Sequence, residues 1–157
     1  PRSTPKPSSA ASDVYKRQLS GCAAYAGEVS LGSLWLGAIV MMWIPVHVWS
    51  IAIKYKADYM EARVPMLPVI VSKDRAVRLI ALGSGLLVLV SVVPAALGLF
   101  GSIYLCGALV LGAVLFFLSL WLMLRPSEVR AWVLFKASGL YLGLLFSCVL
   151  LDVVLGA

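Results

Sequence analysis

Four runs of apolar residues, each longer than twenty residues, constrain the fold of this 157-residue chain more than any other feature. An α-helix rises about 1.5 Å per residue, so about twenty apolar residues cross a hydrocarbon core of roughly 30 Å. With 62% hydrophobic and 13% charged residues, the composition excludes a disordered chain and an ordinary soluble domain. The sequence therefore predicts an all-α integral membrane helical bundle with about four transmembrane helices. The predicted spans are Leu31 to Tyr55, Val77 to Leu99, Ile103 to Leu124 and Ala131 to Val154.

The bases are distributed unevenly among the connections between these spans. Six lie between residues 54 and 78, and Arg125 and Arg130 lie in the last connection, whereas residues 99–103 carry no charge. Because basic connections stay in the cytoplasm, we expect a candidate active-site loop at 56–76 on the cytoplasmic side of the plasma membrane. The net charge of +6 fits this orienting use of bases, so we expect membrane lipid rather than nucleic acid as a partner.

Residues 1–18 differ in character from the rest of the chain. They show no apolar periodicity, and residues 13–18 resemble a translated sequencing-adapter end. They also lack the apolar core and cleavage site of a signal peptide. We expect this segment to be a non-native or disordered tail, and the membrane domain to occupy residues 19–157.

Several residues within or near the spans have structural interpretations. Pro45 and Pro94 are expected to kink their helices, because proline lacks the amide hydrogen that a helix needs. Lys136 and Asp152 are expected to pair with helices missing from this chain or to reach an interface, without a catalytic role. The glycines expected to permit close helix packing are Gly83, Gly85, Gly107, Gly112, Gly139 and Gly143. The cysteines expected to be buried small hydrophobes, since they lack metal-ligand spacing, are Cys22, Cys106 and Cys148.

The connection after the first span combines carboxylates with bases. Asp58 and Glu61 are three residues apart. If the helix continues past Tyr55, as we expect, the two carboxylates share one face, and Lys54 lies one turn earlier. Carboxylates are ligands for Mg²⁺ and lysines neutralise phosphate oxygens, so the pattern fits a Mg²⁺ ion that bridges to a diphosphate. From these residues alone, a solvated cluster of interfacial charges is the simpler interpretation.

His47 is the only histidine in the chain, and it lies in the first span between Trp43 and Trp49. A histidine within a membrane span either contacts a substrate or satisfies a buried carbonyl group. The two tryptophans either stack on a flat substrate or anchor the helix at the membrane interface. The residue types leave both alternatives open.

Three segments of the chain match one family pattern closely. They read W-I-P-V-H-V-W from Trp43, K-A-D-Y from Lys56 and A-R-V-P-M-L-P-V from Ala62. They resemble the W-x-P-P-H-F-W, K-D-D-Y and A-G-x-P-M-L-P-V segments of the protoheme IX farnesyltransferase branch of the UbiA prenyltransferase superfamily. The resemblance continues more weakly over Leu19 to about Asp152, which implies the C-terminal part of a larger UbiA-type bundle.

The resemblance implies transfer of a farnesyl group from farnesyl diphosphate to a vinyl group of heme b, with Mg²⁺ as cofactor. It also implies that the missing N-terminal helices of the same protein complete the bundle. Catalytic roles are implied for Asp58, Lys54 and Lys56. Metal binding is implied for Asp58 and Glu61. Substrate contacts are implied for His47, Trp43, Trp49, Tyr59 and Arg63.

The chain departs from the family pattern at four of these positions. Val46 replaces a proline and Val48 a phenylalanine, whereas Ala57 replaces the first of two aspartates and Arg63 a glycine. The missing carboxylate at position 57 weakens the expected metal site. We expect Glu61 to compensate in part.

The N-D-x-x-D-x-x-x-D motif of the superfamily's N-terminal half does not occur in these 157 residues. We therefore expect a fragment that is inactive alone, although its parent is an enzyme. Two alternatives remain from the sequence. One is a UbiA-type prenyltransferase for a quinone or other aromatic acceptor, and the other is a non-enzymatic membrane transporter or heme-binding subunit.

Overall fold

The computed structural model describes residues 30–155, so the predictions for the tail and for Cys22 lie outside the described residues. Four long helices are apolar enough to cross a membrane, which confirms the predicted all-α membrane bundle. Within the described residues the order of helices is α1 Leu31–Lys54, α2 Lys56–Glu61, α3 Leu67–Ile70, α4 Lys73–Ala96, α5 Ser102–Leu124 and α6 Glu128–Leu155.

The four long helices form a closed ring in which each packs against two neighbours. Helix α1 contacts α4 and α6, and α5 contacts the same two helices from the opposite side. Over residues 30–155, the backbones of the two diagonal pairs, α1 with α5 and α4 with α6, do not approach each other closely. The short helix α3 packs on α1, with Pro68 fully buried, and so holds the connection 55–72 against one end of the ring.

Apolar side chains occupy both the inside and the outside of this ring. Ile39, Ile80 and Leu134 are completely buried in the core, whereas Phe117 is 68% exposed and Leu82 is 65% exposed. Large exposed apolar side chains are a liability in water but are normal against lipid tails. An outward face of this kind is typical of a multi-pass membrane protein, in which lipid or further membrane helices cover it.

Buried polar side chains join the helices in the core. Tyr104 on α5 donates a hydrogen bond to the carbonyl of Ser91 on α4, at 2.6 Å. The Ser91 hydroxyl in turn bonds the Tyr141 hydroxyl of α6. Hydrogen bonds of this kind hold membrane helices together, because no hydrophobic force between helices acts within lipid.

The two ends of the ring differ in charge. The basic end comprises residues 54–78 and 124–130, and the closed end comprises residues 97–103 with Asp152. Lys56, Lys73 and Glu128 line one small cavity, which places both basic connections at the same end, as the predicted topology requires. At the closed end, the buried Asp152 carboxylate accepts hydrogen bonds from the backbone N–H groups of Gly101, Ile103 and Tyr104 at the start of α5.

Asp152 was predicted to pair with a missing helix or to reach an interface, whereas the structure shows that it caps α5 of this chain. A carboxylate at a helix N-terminus satisfies free N–H groups and interacts favourably with the helix dipole. Gly101 permits the contact, since a Cβ atom there would lie 2.8 Å from a carboxylate oxygen. Lys136 is exposed, with its ammonium 5.2 Å from the centre of the Trp132 ring.

The prediction that the cysteines are buried is wrong for Cys106, which is exposed, and Cys148 is only partly buried. A thiol within a span does not need to be inside the protein, because the lipid is as apolar as the core. Pro45 and Pro94 both lie within helices, and the kinks expected at them remain a prediction.

Close packing is confirmed where a glycine faces a neighbouring helix. A Cβ atom added at Gly107 would lie 2.5 Å from the Cys148 sulfur, and one at Gly112 would lie 3.0 Å from Val88. At Gly143 close packing stays a prediction, because nothing among the described residues lies within 4 Å of a Cβ built there. Gly143 is exposed, so spacing along the sequence alone does not place a glycine in a helix interface.

Candidate active site

A column of aromatic rings fills the contact between α1 and α6. The centre of the His47 imidazole lies 4.3 Å from that of Trp43 and 4.3 Å from that of Phe135. The column continues through Trp132, whose ring centre is 5.2 Å from that of Phe135. All four side chains are partly buried, so the column borders the surface of the ring rather than its core. We call these four residues the aromatic column.

Ser138 of α6 makes two polar contacts with α1 at the His47 end of the column. Its hydroxyl oxygen lies 2.8 Å from His47 Nδ1, and its carbonyl accepts a hydrogen bond of 2.7 Å from the Trp43 indole. Ser138 is completely buried. The structure thus brings the predicted substrate residues Trp43 and His47 together, and hydrogen bonds with Ser138 of α6 hold both.

Trp49 is separated from this group. It lies two residues after His47, which is about 200° around a helix of 3.6 residues per turn. Its ring packs against the hydrophobic core of the bundle. The structure therefore pairs His47 with Trp43 and not with Trp49.

Lys54 lies at the other end of the aromatic column. Its ammonium lies 3.6 Å from the centre of the Trp132 ring and 5.2 Å from that of Tyr55. An ammonium over an indole face is a favourable cation–π contact, and it leaves the charge able to attract an anion. With Lys136 on the same indole, two positive charges meet at the basic end of the α1–α6 contact.

The side chain of Lys56 lies in different surroundings from that of Lys54. It borders a cavity of about 100 Å³ together with Pro68 of α3, Lys73 of α4 and Glu128 of α6. The two predicted catalytic lysines therefore lie on different sides of the chain where α1 ends. A carboxylate beside two lysines offsets part of the charge in this cavity.

The prediction that the first helix continues past Tyr55 is wrong, because α1 ends at Lys54 and α2 begins at Lys56. Tyr55 breaks the helix with φ −99° and ψ 30°, although its N–H still bonds the carbonyl of Ile51. Asp58 and Glu61 nevertheless lie three residues apart in α2, which places them on one face, and both are exposed.

The end of α2 explains the glycine of the family pattern at position 63. Val64 N–H bonds the carbonyl of Tyr59, and Arg63 N–H bonds the carbonyl of Met60. This pair of bonds is the Schellman motif, in which the residue after the helix cap is left-handed and is usually glycine. Arg63 has φ 53°, so this chain places an arginine in a conformation that favours glycine.

The same turn forms an open cavity of about 320 Å³. Tyr59 and Arg63 both line it, together with Pro65 and Ile70. Two of the predicted substrate residues are therefore neighbours at the basic end. The structure places them on the connection after α1, away from the His47 end of the aromatic column.

The carboxylates present fit a partial Mg²⁺ site. Within residues 30–155 no cluster of three or more histidine, cysteine, aspartate or glutamate side chains is able to hold a metal ion. Mg²⁺ usually keeps several waters and uses one or two carboxylates together with substrate phosphates. Asp58 and Glu61 therefore fit as the protein ligands of such an ion, with the rest of its coordination supplied from elsewhere.

Sequence reasoning missed three residues of the site: Trp132, Phe135 and Ser138. They lie three residues apart on α6 and carry no motif of their own, so their role depends on contact with α1. The signal that could have found them is this helical spacing of two aromatic residues and a serine in a span that also contains Lys136.

Comparison with known proteins gives this arrangement a family. Residues 18–147 match the model of the UbiA prenyltransferase family. A protein named protoheme IX farnesyltransferase from Desulforudis audaxviator is 43% identical over 135 residues, which are 86% of this chain and 43% of that protein. No solved structure matches the chain.

Two further relatives carry similar names. Protoheme IX farnesyltransferase from Thermus thermophilus is 42% identical over 134 residues, which are 85% of this chain and 22% of that protein. Protoheme IX farnesyltransferase 2 from Cenarchaeum symbiosum is 34% identical over an alignment of 140 positions, which covers 82% of this chain and 45% of that protein. The chain thus spans less than half the length of these relatives. Because the family match extends over most of its residues, the chain belongs to the UbiA prenyltransferase family.

Proposed function

We propose that this chain is part of an enzyme that transfers a farnesyl group from farnesyl diphosphate to a vinyl group of heme b, which makes heme O. The names of relatives that are 34–43% identical over most of the chain support this activity. The observation that carries the proposal is the aromatic column. It connects an imidazole within the membrane to a lysine at the basic end.

The basic end is suited to a diphosphate. Loss of diphosphate from an allylic substrate concentrates negative charge on the departing group, and fixed positive charges stabilise that charge more in the transition state than before. Lys54, Lys56 and Arg63 are the proposed diphosphate contacts. Lys136 is a further candidate, because it lies near the same Trp132 indole as Lys54. It has no acidic partner within hydrogen-bonding distance among the described residues.

Asp58 and Glu61 are the proposed protein ligands of Mg²⁺. When bound, the ion would neutralise further charge on the diphosphate. The two side chains are exposed on one face of α2, where a diphosphate is able to reach them from the membrane surface. Ala57 stands where the family pattern has another aspartate, so Glu61 is the proposed partial substitute.

The contact between α1 and α6 is suited to the apolar parts of the substrates. Departure of diphosphate leaves an allylic cation, which the vinyl carbon of heme b attacks. Water then adds to the resulting cation and loses a proton, which gives a hydroxyethylfarnesyl side chain. Aromatic faces stabilise a nearby cation and exclude water until the carbon–carbon bond has formed.

We place the basic end in the cytoplasm and the bundle in the plasma membrane. Both basic connections lie at that end of the ring, which agrees with the rule that basic connections remain cytoplasmic. Since the chain spans less than half of its relatives, further helices of the same protein are proposed to complete the site, and residues 19–157 to form its C-terminal part.

The test uses a chimera in which residues 19–157 replace the matching part of the D. audaxviator relative. Purified chimera is incubated with heme b, farnesyl diphosphate and Mg²⁺, and heme O is sought by mass spectrometry. The unaltered relative is the positive control, and the 157-residue chain alone is expected to give no product. Product from 4-hydroxybenzoate but not from heme b would replace this proposal with a transferase for aromatic acceptors. Absence of any prenylated product from a folded chimera would contradict both.

A further inference from the structure

The imidazole of His47 is enclosed on three sides. The ring centres of Trp43 and Phe135 each lie 4.3 Å from the centre of the imidazole. Two rings of this size cannot share one face of an imidazole at that distance. The rings therefore cover opposite faces. Ser138 occupies the Nδ1 edge, at 2.8 Å. A flat substrate cannot stack on this imidazole, and only the edge that contains Nε2 remains.

The Nε2 atom of His47 is not completely buried. No residue among those described makes a hydrogen bond to it, and within the same residues no side-chain nitrogen or oxygen is both buried and without a partner. A nitrogen without a partner at the edge of a tightly held ring is available to a ligand that approaches in the ring plane.

The position of the proton follows from Ser138. Its hydroxyl donates to the carbonyl of Phe135 at 2.8 Å. A serine hydroxyl has one hydrogen and a carbonyl oxygen only accepts, so the hydroxyl oxygen must accept from His47 Nδ1–H. The neutral imidazole then carries its hydrogen on Nδ1 and a lone pair on Nε2.

We infer that Ser138 is a positioning residue, which holds His47 as the Nδ1–H tautomer and presents Nε2 as an axial ligand to the iron of a porphyrin. The identity of the porphyrin as heme b rests on the proposed function, whereas the tautomer does not. Histidines that bind metals commonly donate a hydrogen bond from their second ring N–H to an oxygen acceptor, which fixes the tautomer and the ring orientation. The buried hydroxyl of Ser138 is such an oxygen acceptor. The backbone carbonyl of the same residue also accepts a hydrogen bond from Trp43.

The tautomer is directly measurable because the chain has one histidine. The 157-residue chain is labelled with ¹⁵N-histidine, reconstituted in phosphatidylcholine nanodiscs and examined by NMR. We expect a protonated Nδ1 and an unprotonated Nε2 in the original chain. Ser138→Ala is expected to produce a mixture in which Nε2–H appears. A protonated Nε2 in the original chain would overturn the inference without any assay of activity.

Ligand binding is tested in the same nanodiscs by titration with ferric protoporphyrin IX, followed by its absorption spectrum. Loss of an outer partner typically weakens metal binding by roughly 10- to 100-fold. We expect that weakening for Ser138→Ala and near-original binding for Ser138→Thr, which retains the hydroxyl. Ser147→Ala is the matched control, because Ser147 on α6 makes a similar bond to its own helix but is exposed.

Metal-free protoporphyrin IX separates ligation from packing. Its binding is expected to be equal in the original chain and in Ser138→Ala, since it has no iron to accept Nε2. Equal weakening of both porphyrins, or unchanged binding of the ferric form, would overturn the inference. The chimera assay keeps the two proposals apart. Formation of heme O with unchanged Ser138→Ala binding would refute only the role of Ser138, and Ser138-dependent binding without heme O would refute only the proposed reaction.

Discussion

At the closed end of the ring, the carboxylate of Asp152 is buried and accepts hydrogen bonds from three backbone N–H groups. At the basic end, Asp58 and Glu61 are exposed on a short helix. The same functional group is thus used in two ways. A carboxylate saturated by the protein's own donors holds the fold together, whereas exposed carboxylates among bases keep their oxygens available for an ion or a substrate.

The backbone shows the same contrast. The closed end joins α4 to α5 through residues 97–101, and that connection is fixed by the cap from α6. The basic end interposes two short helices and a left-handed turn between α1 and α4. A connection of this length is not needed to join neighbouring antiparallel helices, so its extra structure indicates a functional role.

The largest expected effect tests the exposed carboxylate. In the chimera, Asp58→Asn is expected to lower heme O formation by roughly 100-fold or more, because a charged oxygen ligand near the departing diphosphate is lost. Product is quantified by mass spectrometry. Asp74→Asn is the matched control, since Asp74 is also exposed at the basic end but lies in the first turn of α4. If Asp58→Asn formed as much heme O as Asp74→Asn, Asp58 would be removed from the proposed site.

The next effect tests the closed end. Asp152→Ala leaves N–H groups at the start of α5 without their acceptor, which is expected to cost about 2 kcal/mol of unfolding free energy. The measurement is unfolding of the chain in mixed micelles with increasing dodecyl sulfate. Ser147→Ala on the same helix is expected to have little effect. An unchanged transition for Asp152→Ala would show that the cap does not stabilise the bundle.

A smaller effect tests whether Glu61 compensates for Ala57. Glu61→Gln in the chimera is expected to raise the Mg²⁺ concentration for half-maximal activity by roughly tenfold, since a neutral amide is a weaker ligand for a hard cation. Addition of Ala57→Asp is expected to reverse most of that change. The Mg²⁺ dependence of heme O formation is the measurement, and an unaltered dependence in Glu61→Gln would refute the compensation.

The sequence predicted the four spans closely because their signal is the length of an apolar run, which needs no partner. The predicted third span, Ile103 to Leu124, differs by one residue at its start from the observed Ser102–Leu124. The fourth was predicted to begin at Ala131, whereas α6 begins at Glu128. Polar residues at helix starts weaken the apolar signal there, so the predicted boundary fell inside the helix.

The contacts that define the site could not be predicted in the same way. The capping role of Asp152 and the contact of Ser138 with His47 both join residues far apart in the chain. The outward position of Cys106 was hidden too, because the spans are apolar on every side. Local patterns place residues on helices, but in lipid they carry little information on which face meets which neighbour.

The smallest expected effect concerns the left-handed turn at Arg63. An arginine with φ 53° is strained relative to glycine, so Arg63→Gly is expected to stabilise the end of α2 by about 1 kcal/mol. Slower hydrogen exchange at the Val64 amide, by roughly fivefold, is the local measurement, since this amide bonds the carbonyl of Tyr59.

The matched control for this substitution has the opposite expected sign. Arg75→Gly places glycine within the first turns of α4 and is expected to destabilise that helix by about 0.5–1 kcal/mol. If the Arg63 guanidinium contacts diphosphate as proposed, Arg63→Gly in the chimera is expected to lower activity while it stabilises the turn. Opposite changes in stability and activity would identify Arg63 as a residue retained for its charge, whereas a gain in stability without loss of activity would remove it from the diphosphate contacts.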